Sequence, residues 1–92
     1  MIPAEKKNRK KIFDEDGVKV FAVQLIKIRT TRGYTQSQLA FESGLSLSQI
    51  ARIETARINP TLSTVFTLAR TLDIPLKELF DFELPSVRDK DI

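Results

Sequence analysis

The 92-residue chain contains no cysteine and no histidine. Disulfides, thiolate and imidazole metal sites, and both Ser-His and Cys-His nucleophile pairs are excluded together. Long apolar runs are missing as well: no uninterrupted stretch exceeds five residues, against the roughly 20 that a bilayer-spanning helix needs. The chain does not open with the basic-then-apolar pattern of a secretory leader, so the expectation is a cytoplasmic protein with no membrane partner. Its 3 glycines build no phosphate-cradling loop, and no paired acids stand at a candidate site, so an enzyme is not expected. A chain of this size buries only roughly 60% of its unfolded surface, enough for one core but with little interior for a deep ligand pocket.

What remains is an ordinary globular composition, 41% hydrophobic and 29% charged, and it points to one domain. The charges are segregated. Residues 1–12 carry five bases against one acid, residues 13–16 add three acids, residues 17–80 hold eight bases and four acids, and residues 81–92 hold two bases and four acids. A basic body thus stands between an N-terminal arm, residues 1–16, and an acidic C-terminal tail, residues 82–92. Such a body suits a polyanion such as nucleic acid, and equally a basic protein that is merely soluble. The arm contains Lys6-Lys7-Asn8-Arg9-Lys10-Lys11 and little to bury, so it reads as a mobile segment that either enters a minor groove or stays solvated.

Between arm and tail, residues 17–81 read as the folded domain, and its apolar periodicity is helical. Phe21, Leu25 and Ile28 share a face, Asp14 or Asp16 is placed to cap the start, and Gly33 stops the helix. Val18-Lys19-Val20-Phe21 alternates like a strand but runs directly into this longer helical pattern. Thr35 precedes a short helix over residues 36–43 that ends at Gly44. Ser46 caps the next segment, which carries Ile50 and Ile53 and closes near Thr55. Asn59-Pro60 breaks the chain and Thr61 caps a fourth helix, in which Leu62, Val65, Phe66, Ala69 and Leu72 form the predicted buried stripe opposite a threonine-rich face. Pro75 favours a first helical position, which predicts a fifth helix over residues 75–81 with Leu76, Leu79 and Phe80 apolar. Leu39, Ala40, Leu45 and Ile74 complete the expected core, and none of these side chains makes a cofactor box.

Two short helices joined through Gly44-Leu45-Ser46 have the layout of a helix-turn-helix. The glycine admits the left-handed turn, and the small Ala40 lets the second helix approach the first. The chain here resembles the repressor and Cro type of helix-turn-helix domain, found in lambdoid phages and in the large XRE-like regulator family. The resemblance covers residues 18–80. It rests on Leu25-x-x-Ile28-Arg29, Gly33-Tyr34-Thr35-Gln36, Gln38-Leu39-Ala40, Ser43-Gly44-Leu45-Ser46, Ile50-Ala51-Arg52-Ile53-Glu54 and Asn59-Pro60-Thr61-Leu62. It implies an all-α fold, a compact five-helix bundle of the lambda-repressor-like type, with helices two and three forming the DNA-binding pair.

The resemblance also implies roles for residues. In such domains the second helix of the pair enters the major groove, which places Leu47, Ser48, Gln49 and Arg52 against bases. Arg52 either pairs with guanine O6 and N7 in bidentate fashion or faces a phosphate. Ser48 specifies weakly, Gln49 faces a base or the backbone, and Leu47 either meets a thymine methyl or is simply exposed. Gln36 matches the family glutamine whose amide and backbone N–H reach a phosphate at the positive end of the helix; the alternative is a solvated side chain. Arg57, Asn59 and Thr61 lie in the stretch that follows the DNA backbone in the family. Family loops often carry Asn-Gly or Arg-Gly after the glutamate, where this chain has Thr55-Ala56. Arg29 and Glu54 occupy positions that form a buried ion pair in related domains, a structural role rather than a reading one.

The function implied is sequence-specific double-stranded DNA binding by a transcriptional regulator, a repressor of homodimeric type on a palindromic operator. A DNA-binding antitoxin and a restriction-system controller fit the same resemblance. A protein-interaction module that keeps the fold without DNA binding is the competing class, supported by Leu47 and the acidic tail. No cofactor or small-molecule ligand is called for. One helix-turn-helix reads few base pairs, so a two-fold pair is expected, with recognition helices roughly 34 Å apart. Phe80, Phe82 and Leu84, followed by Val87, offer more apolar surface than a solvated tail needs. They form either a dimer contact or a fold-back onto their own core.

Overall fold

The computed structural model describes residues 12–86, and the basic run of the arm and Val87 lie outside them. Among the described residues five helices follow one another: α1 Glu15–Thr31, α2 Gln36–Ser43, α3 Leu47–Glu54, α4 Leu62–Leu72 and α5 Leu76–Leu79. There is no strand among the described residues, and none of their helices is long and apolar enough to cross a membrane. Val18 to Phe21 are helical, as the longer period requires.

Side chains start four of the helices. Asp14 accepts from the Gly17 N–H at 2.9 Å, Ser46 from the Gln49 N–H at 3.0 Å and Thr61 from the Thr64 N–H at 3.2 Å. Thr35 and Gln38 form a reciprocal capping box of 3.0 and 2.8 Å at the start of α2. The cap at Asp14 corrects the boundary drawn after residue 16. Asp14, Glu15 and Asp16 belong to the start of α1, where acidic side chains complement the helix dipole. At Pro75 the structure also differs from the sequence reading. Its ψ of 144° is extended, so it caps α5 rather than entering it, and α5 spans only four residues. The α5 end is tied to α1 by Gln24, whose amide donates to the Glu78 carbonyl at 2.8 Å.

Four of the helix ends use the left-handed region, at Gly33, Gly44, Ala56 and Asp73. Gly44 has φ +82° and donates its N–H to the Ala40 carbonyl at 3.0 Å, making the tight turn between α2 and α3. At the end of α3 the same backbone task falls to a residue with a Cβ: Ala56 has φ 58°, its N–H reaches the Ile53 carbonyl at 3.1 Å, and the Arg57 N–H reaches the Arg52 carbonyl at 2.9 Å. This is the Schellman arrangement, normally closed by glycine. Ala56 stands at the glycine position of the Asn-Gly or Arg-Gly loops that the resemblance implies.

Leu25, Leu39, Ile50, Ile53, Leu68, Leu72 and Leu79 are fully buried and draw all five helices onto one core. α2 packs on α3 and α4, α1 on α3 and α5, and α5 on α4. The α4 stripe is rotated from the one read in the sequence. Val65, Leu68, Ala69 and Leu72 face inward, whereas Leu62 is 68% exposed and Phe66 37%. Both stripes satisfy helical spacing, and the choice between them is made by what α2 and α5 cover. Ala22 is also buried, and Leu45 is only half-buried against the core.

Candidate nucleic-acid interface

The recognition candidate, α3, is two-sided. Ile50, Ile53 and Glu54 are buried, while Leu47, Ser48 and Arg52 are exposed and Gln49 is half-buried. Ser48 and Arg52 stand four residues apart, one helical turn, so their side chains share the outward face. The outward side stays exposed because the apolar side packs the helix against α1 and α2.

Beneath that face lies the buried ion pair. Arg29 of α1 donates from Nε to Glu54 Oε2 at 2.5 Å and from Nη2 to Glu54 Oε1 at 2.9 Å. Its Nη1 donates to the Tyr34 carbonyl at 2.8 Å. The Arg29 and Glu54 side chains are 11% and 3% exposed, so this charge pair is desolvated and directed inward. Gln36, the first residue of α2, donates from Nε2 to the same Glu54 Oε1 at 2.8 Å. Neighbouring Tyr34 closes the turn: its hydroxyl lies 3.1 Å from Glu42 Oε1 and 3.2 Å from the Thr71 carbonyl oxygen. The bond to Glu42 raises the tyrosine pKa above its ordinary value, and partial burial adds to the effect.

Arg57 and Asn59 are exposed in the loop between α3 and α4. Thr61 is exposed too, but its hydroxyl is engaged locally, accepting from the Thr64 N–H and donating to Thr64 Oγ1 at 3.1 Å. The structure therefore groups Gln36, the α3 face and the Arg29–Glu54 pair, while Thr61 offers a hydroxyl already used as a cap. Phe80, Phe82 and Leu84 lie away from this group, along a groove of about 430 Å³ that Val18, Phe21, Pro60 and Leu62 also line. The Phe80 ring sits 5.6 Å from Phe21 and 6.2 Å from Phe82. Phe82 folds partly onto the core, whereas Phe80 and Leu84 remain exposed. Sequence reasoning missed Leu62 and Phe66 as exposed apolar surface. It also missed Phe41 on α2, which is 88% exposed; the sequence signal for Phe41 was its place next to Ala40, off the buried face.

The profile of the helix-turn-helix family HTH_3 matches residues 25–79. The chain belongs to the helix-turn-helix family. Within it, the chain is similar to the HTH-type transcriptional regulator SlrR of Bacillus subtilis (strain 168), 41% identical over 56 residues, 60% of this chain and 37% of the relative. The chain thus spans a little over a third of that relative. Among solved structures it is similar to the restriction-modification controller protein C.AhdI from Aeromonas hydrophila, with TM-score 0.68, 38% identity, and coverage of 70% of this chain and 97% of that one. It is also similar to the controller protein C.Esp1396I, solved as a tetramer with its natural 35 base-pair operator. That match has TM-score 0.61 at 25% identity and covers 70% of this chain and 95% of that one. In this helix-turn-helix protein α2 and α3 are the helices of the motif, and all five described helices belong to the fold shared with the controllers.

Proposed function

We propose that this helix-turn-helix protein binds double-stranded DNA sequence-specifically as a transcriptional regulator, a homodimer on a palindromic operator, and is not an enzyme. The observation that carries the reading is the two-sidedness of α3: Ser48 and Arg52 point outward from a helix whose other side is buried. Arg52 reads a guanine through its bidentate guanidinium, Ser48 and Leu47 flank it, and Gln49 reaches from the edge of the helix. Gln36, Arg57 and Asn59 follow the phosphates, and Thr61 contributes through its backbone while its hydroxyl caps α4. The protein works in the cytoplasm, on the nucleoid. The match over 97% of C.AhdI favours a controller-type regulator as the finer reading.

Selection from random duplexes is the test. A palindromic consensus whose half-sites are centred roughly one helical turn apart is the expected product. Binding that shows no enrichment and little salt dependence, alongside a stable protein partner, would instead establish the interaction-module reading, for which exposed Leu47 and Phe41 are the available surface.

A further inference from the structure

The Glu54 side chain is only 3% exposed, and its partners reach beyond the ion pair. Oε2 accepts from Arg29 Nε, whereas Oε1 accepts from both Arg29 Nη2 and Gln36 Nε2. A carboxylate can only accept, while a glutamine amide has a donating and an accepting end. The amide of Gln36 therefore has one allowed orientation: the NH2 group faces Glu54, because the flipped form would bring the amide oxygen against a carboxylate oxygen. Nε2 carries two N–H bonds and Glu54 takes one. The second stays available for an anion, beside the backbone N–H groups of Gln36 and Ser37, which the helix itself cannot supply with partners, while that of Gln38 is taken by the Thr35 cap. Arg29 sets the same geometry from the other side by holding the Tyr34 carbonyl, in the turn that delivers the chain to α2.

We infer that Glu54 is a positioning residue for DNA binding: held by Arg29, it locks the Gln36 amide with its free N–H toward the phosphate from its place as the last residue of the recognition helix. The inference rests on the DNA-binding reading and adds a coupling that packing alone does not contain. A merely structural pair would hold α1 against α3 whatever the side chain at position 36. A positioning carboxylate acts on DNA through Gln36.

Two measurements test this. The first is affinity for the selected operator, at one salt concentration, of the wild type, Gln36→Ala, Glu54→Gln and the double variant. Loss of a charge-assisted hydrogen bond corresponds to about a tenfold loss of affinity. Glu54→Gln should show that loss when Gln36 is present and little further loss when it is absent. The second uses nitrogen-15 spectra of the Gln36 amide in the full wild-type chain without DNA, and holds even if Glu54→Gln fails to fold. The two amide protons should be well separated, with one exchanging slowly with solvent, and operator should shift the other. Equal losses from Glu54→Gln in both backgrounds, or a Gln36 amide exchanging at the rate of a free glutamine, would overturn the inference while leaving DNA binding intact. A wild-type chain that enriches no duplex would remove the DNA-binding reading and this role together.

Discussion

Arg29 and Glu54, 25 positions apart, meet side by side through two hydrogen bonds of 2.5 and 2.9 Å, with both side chains almost out of water. The pair joins the end of α1 to the end of α3. Losing one member leaves the other charge buried without a counter-ion, which costs about 3 to 5 kcal/mol. Arg29→Ala and Glu54→Ala should each lower stability by that much, and the double variant by less than the sum, because neither charge is then stranded. Urea midpoints at constant slope measure this; strictly additive shifts would show that the two residues do not interact.

Arg52 is exposed on α3 and supports no core. Arg52→Ala should leave the unfolding midpoint almost unchanged and remove about 1 to 3 kcal/mol of discrimination at one base pair per half-site. Binding to every single-base operator variant is the measurement. A uniform shift across all of them would assign Arg52 to a phosphate.

The rotation of α4 can be checked with two leucines of equal size. Leu68 is fully buried and Leu62 is 68% exposed. Leu68→Ala should cost about 2 to 5 kcal/mol, and Leu62→Ala should stay within about 0.5 kcal/mol in the monomer. The reverse order in thermal or urea unfolding would restore the stripe containing Leu62.

Ala56 holds a left-handed backbone at φ 58°, a conformation that costs an L-residue about 1 kcal/mol or more relative to glycine. Ala56→Gly should therefore stabilise the protein by about 1 kcal/mol, with operator affinity per folded molecule unchanged. A lower midpoint would mean that the alanine methyl group contributes packing larger than the backbone cost.

Dimerisation is expected along the groove that Leu62, Phe80, Phe82 and Leu84 share. Phe80→Ser is the cleaner probe, since Phe80 is 43% exposed beside Phe21, whereas Phe82 is half-buried against the core and its loss would lower monomer stability more. Sedimentation should give a symmetric dimer at micromolar concentration that Phe80→Ser and Phe82→Ser each weaken. A single 10.5 kDa species across that range, without DNA, would leave assembly on the operator as the surviving form.

Local chemistry was legible in the sequence wherever one residue type suffices for the task. Thr35, Ser46 and Thr61 marked helix starts because a short side-chain oxygen satisfies a first-turn N–H, and Gly44 marked the turn because a Cβ is disfavoured at its φ. The ends at Ala56 and Asp73 carried no such mark, since both hold positive φ without glycine. For the candidate interface, the outward face of α3 could be read from spacing around Ile50 and Ile53. The bond from Gln36 to Glu54 could not, because it joins residues 18 positions apart through two helix ends.

By itself, then, the sequence determined the five helices among the described residues, the side-chain caps at Thr35, Ser46 and Thr61, the turn between α2 and α3 and the helix-turn-helix resemblance, all set by interactions within a few residues of the chain. Only the tertiary structure decided that α4 buries Leu68 rather than Phe66, that Phe82 leans on the core while Leu84 does not, and that one buried carboxylate binds Arg29 and Gln36 together. Periodicity defines a stripe without saying which neighbouring helix will cover it. Burial and long-range hydrogen bonds depend on how the helices meet, and no local pattern encodes that angle.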